Sequence, residues 1–439
     1  MSRTLLALLV ALTVSACHPP TWTQPVREPL VDRAFDAPSA RPASAAFRAP
    51  TIPPAPAGSV AARLERFERE SSIQLTTGEG SVRVVRRGTQ VASSDGQSGP
   101  VITIRPLGNR GVQIGEQLYL GTVLVMPHSQ GGITVVNHVP MEDYVRGVVA
   151  RELAIWSATP ALLESQAIAA RSYAEAQLRG RPGKRPRTLL SDSTLDQAYA
   201  GEYLPGKSAG AQKVAERLRQ AVEATRNVVL VENGRVLDAR FHASCGGRTA
   251  SFESVFAEAD PGGMTPVACV GCAQVGTELL PASTSDSSSV VWEWTAGPEE
   301  LGKLARELSI GTRVQSLFPI RRDSTGRWLE VRVVGDRTGH NVDSTALRQV
   351  LGFNNLKSTW ILGTRPAPGS SLDGEISFAG RGRGHGVGFC QTGARELAER
   401  GLTASQILKT YFPTATFSRV SPRPAPTAPK SGALLPAGD

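Results

Sequence analysis

Between residues 72 and 139, apolar and polar positions alternate, as in Val82-Arg83-Val84-Val85 and from Leu118 to Met126, with glycine-containing breaks. A period of two predicts a series of short strands. Ahead of them, Gly58 to Glu70 carries Val60, Leu64 and Phe67 at helical spacing, which predicts a short leading helix. A longer helix is expected from Thr159-Pro160: threonine caps it, proline is tolerated in its first turn, and Leu163, Ala167, Ala170, Ala174 and Leu178 form its apolar stripe. Gly180-Arg181-Pro182-Gly183 should end it. Residues 226–241 predict a hairpin turning at Asn233-Gly234. Residues 290–363 mix strands (Trp328 to Val334) with helices (Pro298 to Leu308 and Ser344 to Leu351). Thr403-Ala404-Ser405-Gln406 is a capping box that opens a last helix. There is no internal repeat. The expected class is α+β, a two-lobed mixed domain with a central cleft.

The ends read differently. Arg3 precedes the apolar run Leu5 to Val14, which is too short to cross a bilayer and stops at Val14-Ser15-Ala16-Cys17. Residues 1–17 therefore read as a signal peptide. They also resemble a bacterial lipobox, in which Cys17 becomes the acylated first residue of the mature chain and holds the protein on a membrane. Plain signal cleavage, with Cys17 incidental, is the alternative. His18 rather than Asp after the cysteine favours the outer membrane. Residues 18–57, rich in Pro and Ala, read as a tether, and residues 417–439 as a disordered tail. Between them are expected a helix and strand-rich part at 58–117 and a main domain at 118–416. The net charge is +9. Outside the cytoplasm, such a surface suits an anionic wall polymer, and no nucleic-acid-binding module is recognisable.

Four segments stand out: Asn137 to Tyr173, containing Tyr144-Val145-Arg146-Gly147-Val148-Val149-Ala150-Arg151-Glu152-Leu153 and Gln166-Ala167-Ile168-Ala169-Ala170-Arg171-Ser172-Tyr173; Asp196-Gln197-Ala198-Tyr199-Ala200-Gly201; Phe241-His242-Ala243-Ser244-Cys245-Gly246-Gly247-Arg248-Thr249; and Gly384-His385-Gly386-Val387-Gly388-Phe389-Cys390-Gln391-Thr392-Gly393-Ala394. In this order they resemble the SpoIID/LytB family (stage II sporulation protein D) over roughly residues 118–416. The resemblance implies a lytic transglycosylase. Such an enzyme cleaves the MurNAc–GlcNAc bonds of peptidoglycan without water, leaves 1,6-anhydro-MurNAc ends and prefers strands stripped of their stem peptides.

Glu152 can be read independently. A lytic transglycosylase needs one carboxylic acid, which protonates the leaving oxygen and then takes the proton from the sugar's own 6-hydroxyl. An apolar setting must keep that acid neutral near pH 7. Val148-Val149 on one side and Leu153-Ala154-Ile155-Trp156 on the other give Glu152 such a setting, and it is also the family's catalytic position. The bland alternative is a surface glutamate after a strand, balanced by Arg151.

The resemblance assigns substrate contacts to Gln166, Arg171, Tyr173, Gln197, Tyr199, Ser244, Gly246, Gly247, His385 and Gln391. Gln166 and Tyr173, seven apart on the expected helix, share a face. The alternate glycines around His385 permit a close backbone approach to a ligand. Core or structural roles remain open for Tyr173, Gln197, Tyr199 and His385. The chain departs from the common family pattern with Glu164 in place of Lys, Cys390 in place of Ser and Thr392 in place of Tyr. Arg151, Arg171, Arg240, Arg248, Arg381 and Arg383 crowd the motifs and could read the lactyl carboxylates of a stripped strand, Arg171 first among them.

His242-x-x-Cys245 and Cys269-x-x-Cys272 make two clips whose spacing suits structural zinc. Some family members bind zinc near this motif. A disulfide is the alternative. A hydrolase using a second carboxylate, Asp196 or Glu253, and a non-catalytic glycan-binding or amidase-activating lipoprotein are the competing functions. The expected partners are peptidoglycan strands, a membrane through Cys17 and a peptidoglycan amidase.

Overall fold

A computed structural model describes residues 50–425, apart from 109–110, 257–259, 276–289, 367–368, 370 and 372–373. The signal peptide, Cys17, most of the tether and the tail beyond 425 lie outside the described residues. The class is α+β, as expected, and the described residues hold two principal hydrophobic cores.

The first core begins with two sheets. One runs, in spatial order, Leu190–Ser191, Ser59–Arg63, Ile133–Pro140, Thr122–Pro127 and Ile102–Ile104. The other runs Ser98–Gly99, Gln90–Ser93, Gly80–Arg87, Ser72–Thr77, Val112–Ile114 and Gln117–Tyr119. The boundary expected after residue 117 therefore falls inside a strand, and Ile102–Ile104 pairs with Thr122–Pro127 across it.

The helix expected over Gly58 to Glu70 is a strand, Ser59–Arg63, followed by a 3₁₀ turn, Glu65–Phe67. The strand lies between Ile133–Pro140 and Leu190–Ser191, with Val60 opposite Val139. Its side chains from Ser59 to Ala62 are all buried. Pairing on both edges outweighs the modest local preference for helix.

Helix α1, Met141–Glu152, follows the last long strand directly, and α2, Pro160–Arg179, crosses the core beneath it. The Thr159 hydroxyl caps α2 by accepting from the Leu162 N–H, and Gly180 ends it at φ 84°, both as predicted. Helix α3, Ala209–Ala224, was not anticipated, although Ser208 caps it by accepting from Ala211. Short helices α4, Phe252–Phe256, and α5, Val270–Val275, lie near the cysteine motif.

The second core packs α6, Pro298–Glu307, and α7, Ser344–Leu351, on two three-stranded sheets, with Trp328 fully buried. Helices α8, Gln391–Glu399, and α9, Ala404–Tyr411, return to the first core, and the Thr403–Gln406 capping box is present.

The predicted hairpin forms between Val228–Glu232 and Arg235–Val236, with Asn233 and Gly234 both at positive φ. Its outer neighbour is Thr416–Arg419, so the expected tail is ordered at its start. Arg423 continues the contact, donating to the Ser59 carbonyl at 2.5 Å and accepting from Gly58 N–H at 2.7 Å. Among the described residues, no helix is long and apolar enough to cross a membrane.

Candidate functional site

Glu152 is the last residue of α1, so it follows a helix rather than a strand. The apolar face of α1 (Tyr144, Val145, Val148, Val149) faces the core. Gly147 lets α1 approach the 196–201 segment: a Cβ there would stand 2.4 Å from the Gly201 carbonyl oxygen and 2.6 Å from the Tyr199 ring. That approach brings Ala198 to Glu152. The Ala198 N–H donates to Glu152 Oε1 at 2.8 Å, and Gln391 Nε2 reaches Oε2 at 3.5 Å. Gln391 also donates to Gln166 Oε1 at 3.2 Å. Burial pushes the Glu152 carboxyl above the usual range, against the smaller opposing pull of these two donors and of Arg151. Its place at a helix C-terminus, the negative end of the dipole, also disfavours the anion. The result is a single acid, oriented on both oxygens and biased toward its protonated form.

Asp196 is close in sequence but already engaged. It accepts from Tyr173 Oη at 2.5 Å, from Ser191 N–H at 2.7 Å and from the Arg187 guanidinium. Glu253 is exposed on α4 and accepts from the Asp260 N–H. Among the described residues, no second carboxylate hydrogen-bonds to Glu152.

Of the expected substrate contacts, the structure brings Gln391 to Glu152, and Gln166 to Gln391. Others are corrected. Arg171 is buried within the first core, with Nε 3.0 Å and Nη2 2.5 Å from the Glu142 carboxylate and Nη1 3.0 Å from the Val228 carbonyl. With its guanidinium buried and paired to Glu142, it is placed as a buried ion pair rather than at a surface that a polymer could reach. Tyr199 is buried against Tyr119 and Tyr144, and its hydroxyl donates to Asn137 Oδ1 at 2.8 Å. Tyr173 is buried and bound to Asp196. Gln197 is buried and donates to the Ala170 carbonyl at 3.3 Å. His385 is half-buried with its ring centre 5.4 Å from that of His242, and desolvation holds it well below the ordinary imidazole range. The glycines around it serve the chain's own close approach: a Cβ on Gly388 would stand 2.4 Å from the Arg240 carbonyl oxygen.

Trp156 was read only as part of the apolar flank of Glu152, yet 72% of it is exposed. Its loop is pinned from two sides. Arg217 on α3 donates to the Ile155 and Trp156 carbonyls at 2.8 and 3.2 Å, and Arg395 on α8 donates to the Ser157 carbonyl at 3.2 Å. Arg395 is one helical turn beyond Gln391, so one face of α8 supports both the acid and the tryptophan loop.

The metal set also differs from the expected one. The sulfur atoms of Cys245, Cys269, Cys272 and Cys390, all buried, lie within 4.8 Å of one another, and the four thiols are free. His242 is displaced from the set. Phe241–His242 pairs in parallel with Phe389–Cys390, setting His242 opposite Cys390. Its Nδ1 is instead 3.0 Å from the Val387 carbonyl, and burial lowers its pKa to about 4. Backbone N–H groups point at the sulfurs: Gly246 at Cys272 (3.2 Å), Cys245 at Cys390 (3.3 Å), Gly247 at Cys245 (3.4 Å). Ser244 and Tyr411 place hydroxyls 3.1 and 3.3 Å from Cys272 and Cys269. Such donors stabilise thiolates, and four converging thiolates suit tetrahedral zinc. Ser244, Gly246 and Gly247, expected at the glycan, thus belong to this cluster. Nothing local in the sequence linked Cys390 to the clips.

A mixed α+β chain with a half-buried acid held by Ala198 and Gln391, and with a four-cysteine cluster, is the class these features define. Residues 129–231 match the family model described as SpoIID, Stage II sporulation protein. The chain is 29% identical over 297 residues to an uncharacterized protein of Brachyspira hyodysenteriae, covering 67% of this chain and 70% of that one. It is 25% identical over 281 residues to the stage II sporulation protein D of Bacillus amyloliquefaciens, covering 63% and 74%. It is 27% identical over 312 residues to the amidase enhancer of Bacillus subtilis, covering 62% of this chain but 40% of that protein. The chain is thus similar to the SpoIID family, through the match at residues 129–231 and through relatives named stage II sporulation protein D.

Proposed function

We propose that this protein is a peptidoglycan lytic transglycosylase with Glu152 as its single acid and base. The observation that carries the reading is the Glu152 carboxyl: half-buried, with its pKa raised by burial, and oriented by Ala198 and Gln391. In its neutral form Glu152 gives its proton to the glycosidic oxygen between MurNAc C1 and GlcNAc O4. That bond breaks, the 6-hydroxyl oxygen of the same MurNAc bonds to C1, and the Glu152 carboxylate takes the hydroxyl proton. The products are a free GlcNAc 4-hydroxyl and a 1,6-anhydro-MurNAc end. No water enters and the acid is regenerated. Engagement of both Asp196 oxygens disfavours a two-carboxylate hydrolase. Exposed Trp156 offers a flat apolar face for a pyranose ring beside the acid.

A zinc ion held by Cys245, Cys269, Cys272 and Cys390 would supply folding free energy rather than chemistry, since four protein ligands close the site. Cys390 caps α8, the helix that begins with Gln391, so the cluster would also fix that amide against Glu152. An N-terminal lipid on Cys17 would hold the enzyme at a membrane facing the wall, with the outer membrane favoured. Stripped glycan strands are the preferred substrate in this reading, and an amidase would supply them.

The amidase enhancer relative supports a second reading, a glycan-binding lipoprotein that activates an amidase without cleaving strands. Mass spectrometry of amidase-treated peptidoglycan digested by the purified full-length protein separates the two. Anhydro-ended fragments that vanish with Glu152→Gln support cleavage. An intact polymer together with a stimulated amidase supports the alternative.

A further inference from the structure

The loop after α2 reads Arg-Gly-Arg-Pro-Gly-Lys-Arg-Pro-Arg from 179 to 187, five cations in nine residues. It is not a loose basic tail. Gly180 and Gly183 turn it at positive φ, Lys184 N–H bonds the Arg181 carbonyl at 2.9 Å, and Arg187 N–H closes it on the Gln177 carbonyl at 2.9 Å. Two prolines stiffen it further. Arg181 is fixed 3.1 Å from buried Asp238, and Arg179 lies 2.7 Å from Glu175. Opposite stands the tip of the hairpin, with Arg235. Between them is a cleft of about 600 Å³ lined by Arg179, Arg181, Lys184, Arg235, Gly234 and Ser418. Arg185 and Arg235 are exposed, and neither has a carboxylate partner among the described residues. Exposed Arg185 and Arg235 thus add cationic charge beside a cleft whose Arg179 and Arg181 are held by Glu175 and Asp238, so the described residues present preorganised positive charge there.

The cleft connects to the acid through one helix and one loop. Gln166, which bonds Gln391 at Glu152, and Arg179, at the cleft, are thirteen residues apart on α2, a rise of about 20 Å. Between them Arg187 binds Asp196, two residues before the Ala198 N–H that holds Glu152. We infer that this cleft is a distal binding site for the carboxylate-bearing glycan strand, gripping the polymer several sugars away from the bond that Glu152 breaks. The inference rests on the reading of the protein as a glycan-cleaving enzyme. Once stem peptides are gone, each disaccharide carries one lactyl carboxylate, a repeating charge that arginine can pair bidentately. With Arg171 of α2 buried against Glu142, this turn becomes the place where such charge is read.

The test uses the full chain with Lys184→Glu, Arg185→Glu and Arg235→Glu combined, all at exposed positions that leave the core untouched. On long stripped strands KM should rise about tenfold, as expected for several exposed charge contacts. A fragment too short to reach the cleft is the internal control and should be cleaved at an unchanged rate. The salt dependence of long-strand cleavage should flatten in the variant. Equal behaviour of wild type and variant on long strands would overturn the inference, as would an equal loss on short fragments. If the wild type cleaves neither substrate, the catalytic reading fails instead. Anisotropy of labelled long strands then still decides the cleft: binding weakened by the triple variant sustains it, and unchanged binding refutes it. Variant-sensitive adsorption to anionic lipid vesicles, with none to glycan, would likewise overturn it.

Discussion

Cys390 and Gln391 are neighbours in the chain but serve two different sites: the Cys390 thiol joins the four-sulfur cluster, while the Gln391 amide reaches the Glu152 carboxylate. The residue that would hold a metal is also the cap of the helix that positions the acid. Disturbing the cluster should therefore lower both stability and activity.

Protein purified without added metal should contain near-equimolar zinc by elemental analysis. Cys390→Ser should lose most of it and melt at a lower temperature, since a structural metal adds folding free energy. His242→Ala should keep the metal, because the four sulfurs converge on one another without His242. A thiol titration showing two of the four cysteines oxidised, with no metal present, would defeat this assignment.

Glu152 should dominate the pH behaviour. Burial raises its folded pKa above the unfolded value, so cleavage should decline on the alkaline side as the proton is lost. The same shift affects stability. Between the unfolded and the raised folded pKa, the folded state holds the extra proton, so stability falls as pH rises through that window. Glu152→Gln removes the penalty. It should melt no lower than wild type at neutral pH while cleaving about 10²–10⁴-fold more slowly. Melting curves of both proteins across pH, with turnover on stripped glycan, check both halves.

Arg171→Ala should act on stability, not on substrate preference. It leaves the Glu142 carboxylate buried without its cation, which typically costs about 3–5 kcal/mol. Urea titration reads the loss directly. A variant as stable as wild type, with an altered preference for stripped strands, would return Arg171 to the substrate site.

Trp156→Ala should weaken glycan binding while sparing the chemistry. The side chain is exposed and its loop is held through backbone carbonyls, so the fold has little stake in the indole. Removing one stacking face should raise KM about tenfold at most, with kcat little changed. Steady-state kinetics showing a lower kcat at constant KM would contradict a platform role.

The sequence by itself determined whatever depends on neighbours in the chain. Helix α2 begins at Thr159 and ends at Gly180 because cap and stop are local chemistry. The Asn233–Gly234 turn and the Thr403–Gln406 box were legible for the same reason. Glu152 was legible because its apolar flank is contiguous with it. Helix α3 carried the same local signals, a cap at Ser208 and an apolar stripe of Val214, Leu218, Ala221 and Val222 at helical spacing, so it too was legible in the sequence. Tertiary structure decided the rest. Ser59–Arg63 is a strand because strands far along the chain pair with both its edges. Arg171 and Tyr199 looked like polar groups waiting for a ligand until folding supplied Glu142 and Asn137 as partners. The fourth member of the cluster is Cys390 rather than His242, because a parallel pairing of two short strands brings Cys390 to Cys245, 145 positions away. Spacing along a chain constrains contacts within a turn or two. Which distant groups satisfy a buried charge or complete a cluster is settled only when burial drives most polar atoms to find partners.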